Sequence, residues 1–357
     1  MKNNNSRNAK PLQFASAFSL LLLLMRCALA ADDSATTAKP FEKVQVEVFT
    51  APHPVKTVMP TYPIDEMRRG REGWVYLNFM VGPDGKPYEM TVIESSGNAI
   101  LERAALETAQ AWRYEPAKRG DTAIHASQDL KLVFLMRDAT RGAAKGFTAA
   151  YRSLQQAVDA RDKVRADEEL AKLDARNLYE DAYLNIARFT YHSKWGTEAD
   201  QLADLRRAVA FERKPHYLPK DMFVSVLTQQ LLLELKLHQF GSALKTWETL
   251  RPLSAKQDAE SLQRKIDEVE ALRKSDLAFS TAGDINKGRS WNGRLLKDQF
   301  SIRVTSGNVS EIRLRCEKQY LTFAYDSSLE YRIEGTAGSC TIEVIGTQGT
   351  TFELIES

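Results

Sequence analysis

The residues able to do chemistry are scattered through this chain. The five histidines, His53, His125, His192, His216 and His238, fall in separate segments, and none has the His-x-x-x-His or Glu-x-x-His spacing that sets two ligands on one helix face. There is no Gly-x-Ser-x-Gly elbow to present a nucleophile, and no glycine loop opens a helix to cradle phosphate. Gly82-Pro83-Asp84-Gly85 is glycine-rich, but it stands between two alternating segments and reads as a hairpin turn. Asp65, Glu66, Arg68 and Arg69 read as a solvated face. The chemistry left is that of cysteine. Cys316 shares a strand face with Ile312 and Leu314, and Cys340 shares one with Ile342 and Val344, so both should point inward. In an oxidising compartment the two should form a structural disulfide. No histidine or further cysteine stands at ligand spacing to make a metal site with them. The expectation is a binding protein rather than an enzyme, with no cofactor.

If function lies in binding, the elements that present a surface matter most, and they are clearest between residues 60 and 136. Val75, Leu77, Phe79 and Val81 alternate with Trp74, Tyr76, Asn78 and Met80, which predicts a half-buried strand. A second strand, Tyr88 to Glu94, follows across the Gly82–Gly85 turn, where Pro83 fixes φ and Asp84 and Gly85 tolerate a positive one. After Ser95-Ser96-Gly97 the period changes, and Leu101, Ala105, Thr108 and Trp112 fall on one helical face, with Asn98 as N-cap. Pro116 should stop that helix near Tyr114. Leu130, Leu132 and Phe134 then alternate with Asp129, Lys131 and Val133 as a third strand. The order is β-β-α-β.

Tyr62-Pro63, Glu72-Gly73-Trp74-Val75, Asp84-Gly85, Ser95-Ser96-Gly97 and Ala111-Trp112-Arg113-Tyr114-Glu115-Pro116-Ala117 stand in this order and spacing over roughly a quarter of the chain. The set resembles the C-terminal domain of the TonB family. The resemblance implies that the last strand, Ile124 to Leu135, pairs through its open edge with an extended segment of an outer-membrane transporter. It further implies that Tyr62 and Pro63 flank the bound peptide, and that Ile124, Ser127, Asp129, Lys131 and Val133 lie along it. A sheet covered on one side by a single helix does leave outer N–H and C=O groups able to accept a strand. The same edge is open to residues 43 to 49 or to a second copy of the chain. Trp112 and Tyr114 are expected in the core and at the helix end.

The chain has 357 residues, with 49 basic against 47 acidic and 43% hydrophobic. This is globular composition with no basic stripe for nucleic acid. Lys2, Arg7 and Lys10, an apolar run from Phe14 to Met25, and Ala28-Leu29-Ala30 read as a signal peptide (1–30) cut after Ala30. The apolar run is about a dozen residues, short of the ~20 that span a bilayer. Arg26 before Cys27 argues against lipoprotein processing. Residues 31–52 are expected as a linker with a weak edge strand through Val44, Val46 and Val48.

Residues 53–138 form the TonB-like domain in this reading. From 139 to 275 the period is helical, through Phe147 to Val158, Tyr179 to Thr190, Leu202 to Val209, Met222 to Leu237, Leu244 to Leu250 and Leu262 to Leu272. Helical hairpins loosely similar to tetratricopeptide repeats are expected. Residues 276–357 alternate in short runs and predict a small β domain, in which Trp291, Tyr320 and Tyr325 are candidates to stack on sugars. The fold class is therefore α+β and multidomain.

Two functions follow. One is a periplasmic binding module for an envelope protein such as an outer-membrane transporter. The other is a TonB-type energy transducer, in contact with the membrane only if the N-terminal segment is retained. The transducer reading sits less well with more than 200 residues after the TonB-like domain and no long proline-rich arm.

Overall fold

A Cβ at position 85 would lie 2.1 Å from the carbonyl oxygen of Tyr114, and Gly85 has φ +74°. The turn after residue 81 therefore closes as its residues predict, joining β3 (Gly73–Val81) to β4 (Pro87–Ser95). The computed structural model describes residues 49–136, 142–211, 217–286, 289–335 and 337–357. The expected signal peptide, His216, and the linker as far as residue 48, with Val44, Val46 and Val48, lie outside the described residues. The chain enters through β1 (Phe49–Thr50), β2 (His53–Lys56) and α1 (Ile64–Arg68).

After β4 come α2 (Ala99–Ala111), β5 (Arg113–Glu115), β6 (Ala117–Arg119), β7 (Thr122–Ile124) and β8 (Ala126–Phe134). Asn98 caps α2, its side chain accepting from the amides of Ile100 and Leu101. The main sheet has the antiparallel order β4-β3-β8. Val75, Leu77, Phe79 and Val81 face α2, where Leu101, Ala105 and Ala109 complete the core. The helix ends earlier than the proline predicts. Trp112 is already extended (φ −69°, ψ 159°), and the Tyr114 amide donates to Gly85 O at 2.9 Å while β5 pairs with β2. Strand pairing outcompetes another turn of helix.

The helical section comprises α3 (Lys145–Asp159), α4 (Lys163–Ala171), α5 (Leu178–Trp195), α6 (Glu198–Ala210), α7 (Lys220–Lys236), α8 (Phe240–Leu250) and α9 (Lys256–Lys274). Consecutive helices pack against each other as α3 with α4, α5 with α6 and α7 with α8. Helix α4 escapes the sequence pattern because Ala166 is its one buried residue, leaving no apolar stripe to read.

Two four-stranded sheets follow. β9 (Phe279–Asp284), β10 (Ser290–Arg294), β11 (Gln299–Ser306), β12 (Val309–Cys316), β13 (Gln319–Ala324), β14 (Tyr331–Arg332), β15 (Cys340–Gly346) and β16 (Thr351–Glu356) are ordered β10-β15-β12-β13 and β14-β11-β16-β9. Their shared core holds Phe300, Ile312, Leu314, Ile342, Val344 and Phe352. Cys316 and Cys340 sit directly opposite on β12 and β15 and are joined as a disulfide. The three aromatics named for sugar stacking each have partners within the protein: Tyr320 meets Tyr88 edge-on at 6.1 Å and lies under Arg315. Trp291 packs edge-on against Phe352 at 5.3 Å, and Tyr325 lies on the core with its hydroxyl donating to Ile302 O.

The described residues all belong to one compact unit, Glu47–Ser357. Within that unit the secondary structure is mixed α and β, and the helical and β sections close over the face of the first sheet that α2 leaves bare. None of the described helices is long and apolar enough to cross a membrane.

Candidate functional site

Each edge of the three-stranded sheet presents unpaired backbone, and the chain treats the two edges differently. On β4, the carbonyl of Ser95 accepts from Arg207 Nη2 at 3.0 Å, and that of Glu89 accepts from Arg315 Nη1 at 2.8 Å. Glu89 has φ +48° in a strand whose register shifts beside it. Such a bulge breaks the ladder and leaves backbone groups for other partners. The β4 edge is therefore tied down by arginines from α6 and β12. On β8, residues Ala126–Phe134 pair with β3 along nine residues. Among the described residues no strand pairs on the far side of β8 and no further backbone hydrogen bond reaches it. Thr50 and Phe49 pair with β6 rather than with β8.

The residues expected along a bound peptide divide between β7 and β8. Ile124 is not part of the edge strand: it lies in β7, opposite Ala117 of β6, because the chain breaks at His125, where the ring bonds the Tyr88 hydroxyl at 2.8 Å. Ser127, Asp129, Lys131 and Val133 do lie on β8, opposite Met80, Asn78, Tyr76 and Trp74. They share the sheet face away from α2. Their side chains stand over that face and do not extend outward along the sheet. Asp129 accepts from the Tyr76 hydroxyl at 2.7 Å and from Asn78 at 2.6 Å, and Ser127 accepts from Asn78 at 2.9 Å. Lys131 donates to Ala210 O at the end of α6. The residue is exposed overall, yet desolvation lowers its pKa, with Glu94 pulling the other way.

Tyr62 and Pro63 have structural partners. The Tyr62 ring meets Phe134 edge-on at 5.6 Å, its hydroxyl donates to Arg71 O at 2.5 Å, and burial pushes its pKa up to about 12. Pro63 is the N-cap of α1. Both stand beside the C-terminal end of β8, since Phe134 is its last residue. Trp112 and Tyr114 occupy the core and helix end as expected. Tyr114 is 5% exposed, and the Trp112 indole donates to Val58 O.

Residues that sequence reasoning missed hold the remaining sections against the sheet. Trp74 Nε1 donates to Asp181 Oδ2 at 3.0 Å, a carboxylate whose pKa burial raises. Glu72 accepts from the amides of Met136 and Leu178. Arg315, whose side chain is 2% exposed, binds Thr91 and Glu343 besides Glu89 O. Arg313 pairs with Glu89 at 3.0 Å. All are long-range pairs, so no local spacing announces them. The one available signal was charge on outward strand positions of β12, where Arg313 and Arg315 alternate with core residues.

Residues 58–136 match the family model for the Gram-negative bacterial TonB protein C-terminal, and they carry a TonB C-terminal domain. Protein tonB2 of Pseudomonas aeruginosa is 47% identical over 64 residues, 18% of this chain and 24% of that protein. Protein TonB of Haemophilus ducreyi is 39% identical over 59 residues, 16% of this chain and 21% of that one. The matches thus span about a quarter or less of the length of these curated relatives. Among solved structures, the solution NMR structure of the Pseudomonas aeruginosa TonB CTD aligns at 24% identity over 26% of this chain and 92% of that one, with a TM-score of 0.24. The tonb2 protein from Vibrio anguillarum aligns at 27% identity over 29% and 95%, with a TM-score of 0.21.

Proposed function

We propose that the TonB C-terminal domain at residues 58–136 works here as a periplasmic protein-binding module. Its strand β8 accepts an extended segment of an outer-membrane transporter or another envelope protein. One observation carries this reading: among the described residues no strand pairs with the outer edge of β8, while arginines of the same chain cap the opposite edge. Main-chain hydrogen bonds along β8 supply much of the affinity, as in other strand-addition complexes. Tyr62 and Pro63 border the C-terminal end of β8. Ser127, Asp129 and Val133 tune the register from the sheet face, and Ile124 acts only by positioning the β7 turn. The helical section, read as a tetratricopeptide-like array, and the β section supply further protein-interaction surfaces. The reading is one of binding, not catalysis.

In-cell photocrosslinking from Gln128 and Asp129 tests it, with Arg152 on α3 as the comparison position. Capture of an outer-membrane protein through its periplasm-facing extended segment, from β8 and not from α3, supports the reading. Capture of only a second copy of this chain, or equal capture from both elements, overturns it. We further propose that the N-terminal segment is cleaved. A mature chain beginning at Ala31 agrees, whereas a retained segment favours a membrane-anchored energy transducer.

A further inference from the structure

A cavity of about 470 Å³ lies where the bare face of the first sheet meets α6, α7, α8 and β10. We propose that it binds a small carboxylate ligand with an apolar or aromatic body. The volume is within the range of small-molecule sites, which join mostly apolar walls to a few placed charges. Here Trp74, Tyr76, Phe223 and Leu227 form an apolar wall on one part of the cavity, and most of the other lining residues are polar or charged.

The charges are unevenly matched. Arg206 is held by Glu234 at 2.9 Å, and Lys245 by Glu248 at 2.8 Å. Lys131 and Arg294 have no carboxylate within ion-pair distance among the described residues. The Lys131 ammonium stands 5.8 Å from the Trp74 ring and 5.7 Å from that of Tyr76, while Arg294 Nη1 donates to Ser339 Oγ at 2.7 Å. The remaining acid at the cavity is Glu94; burial raises its pKa while Arg207, Arg206 and Lys131 oppose that shift, and as a single carboxylate beside Lys131 and Arg294 it offsets at most one of the two cations.

A monoanion matches this surplus. A carboxylate meeting Lys131 and the guanidinium fork of Arg294 gains charge-assisted hydrogen bonds, and its body lies on the rings that already face Lys131. A dianionic phosphate ester would place its second charge beside Glu94 and Glu234. The site is formed by all three sections of the chain and stands independently of the β8 reading.

Titration of the full chain, labelled with 15N tryptophan, with 3-phenylpropionate and separately with 3-phenylpropionamide tests the proposal through the Trp74 indole resonance. The acid is expected to shift that resonance saturably and to bind about tenfold more tightly than the amide, the worth of one charge-assisted hydrogen bond. Lys131→Met and Arg294→Met should each weaken the acid about tenfold, with Lys245→Met unchanged. No saturable shift, equal binding of acid and amide, or full affinity in both cavity variants overturns the proposal. If a variant loses the Trp74 resonance through misfolding, the acid-against-amide comparison on the unaltered chain decides.

Discussion

At Gly85 two requirements coincide: a left-handed backbone, and room for the Tyr114 carbonyl where any Cβ would stand. Gly85→Ala is expected to cost at least about 2 kcal/mol, combining strain at positive φ with a backbone clash. Urea unfolding read by tryptophan fluorescence would show it, and an unchanged midpoint would contradict the close approach. Glu356 is a different case. It is 2% exposed, accepts from the amides of Leu296 and Lys297, and burial raises its pKa from 4.5 to about 7. The folded chain therefore holds this proton more tightly than the unfolded one. The contribution is fully present below about pH 4.5 and is lost as pH rises through about 7. Glu356→Gln should remove this slope and raise stability at neutral pH, which thermal melts across pH 4 to 8 would register.

Strands and helices meet here through few but buried polar ties. Arg315 on β12 joins Glu343 on β15 to the bulge of β4. Arg315→Met leaves Glu343 only the longer contact with Arg313 at 4.0 Å and should cost at most about 3 kcal/mol, whereas Arg315→Met with Glu343→Met should cost clearly less than the two single changes summed. A double-mutant cycle gives the coupling directly, and strict additivity would show that the pair is not an energetic unit. Within the same sheets the Cys316–Cys340 disulfide closes a separation of 24 residues. Its removal by paired alanine substitution should lower stability by about 3 kcal/mol on the chain-entropy account.

Across the molecule, the first sheet is sandwiched between α2 on one face and the rest of the chain on the other. Trp74, 1% exposed in the whole chain, owes that burial partly to α5 through Asp181. A fragment limited to residues 53–138 should therefore show a red-shifted Trp74 emission and a lower melting temperature than the same residues in the full chain. Equal values would mean that the helical section merely abuts the sheet.

What the sequence determined by itself was local in origin. The β3–β4 hairpin followed from the Gly82–Gly85 turn, α2 from the Asn98 cap and a change of period, and the TonB C-terminal domain from an ordered motif series. The disulfide partners were legible because only two cysteines lie beyond residue 30 and both stand on apolar strand faces. Tertiary structure decided what depends on residues far apart. It placed Ser127, Asp129 and Lys131 over a covered face and put Ile124 in a separate hairpin. It also capped the β4 edge with Arg207 and Arg315 and gathered Lys131 and Arg294 at one cavity. Strand periodicity states which residues share a face. It says nothing of what will cover that face, because the covering elements arrive a hundred or more residues later and bind through single buried side chains, without a repeating pattern.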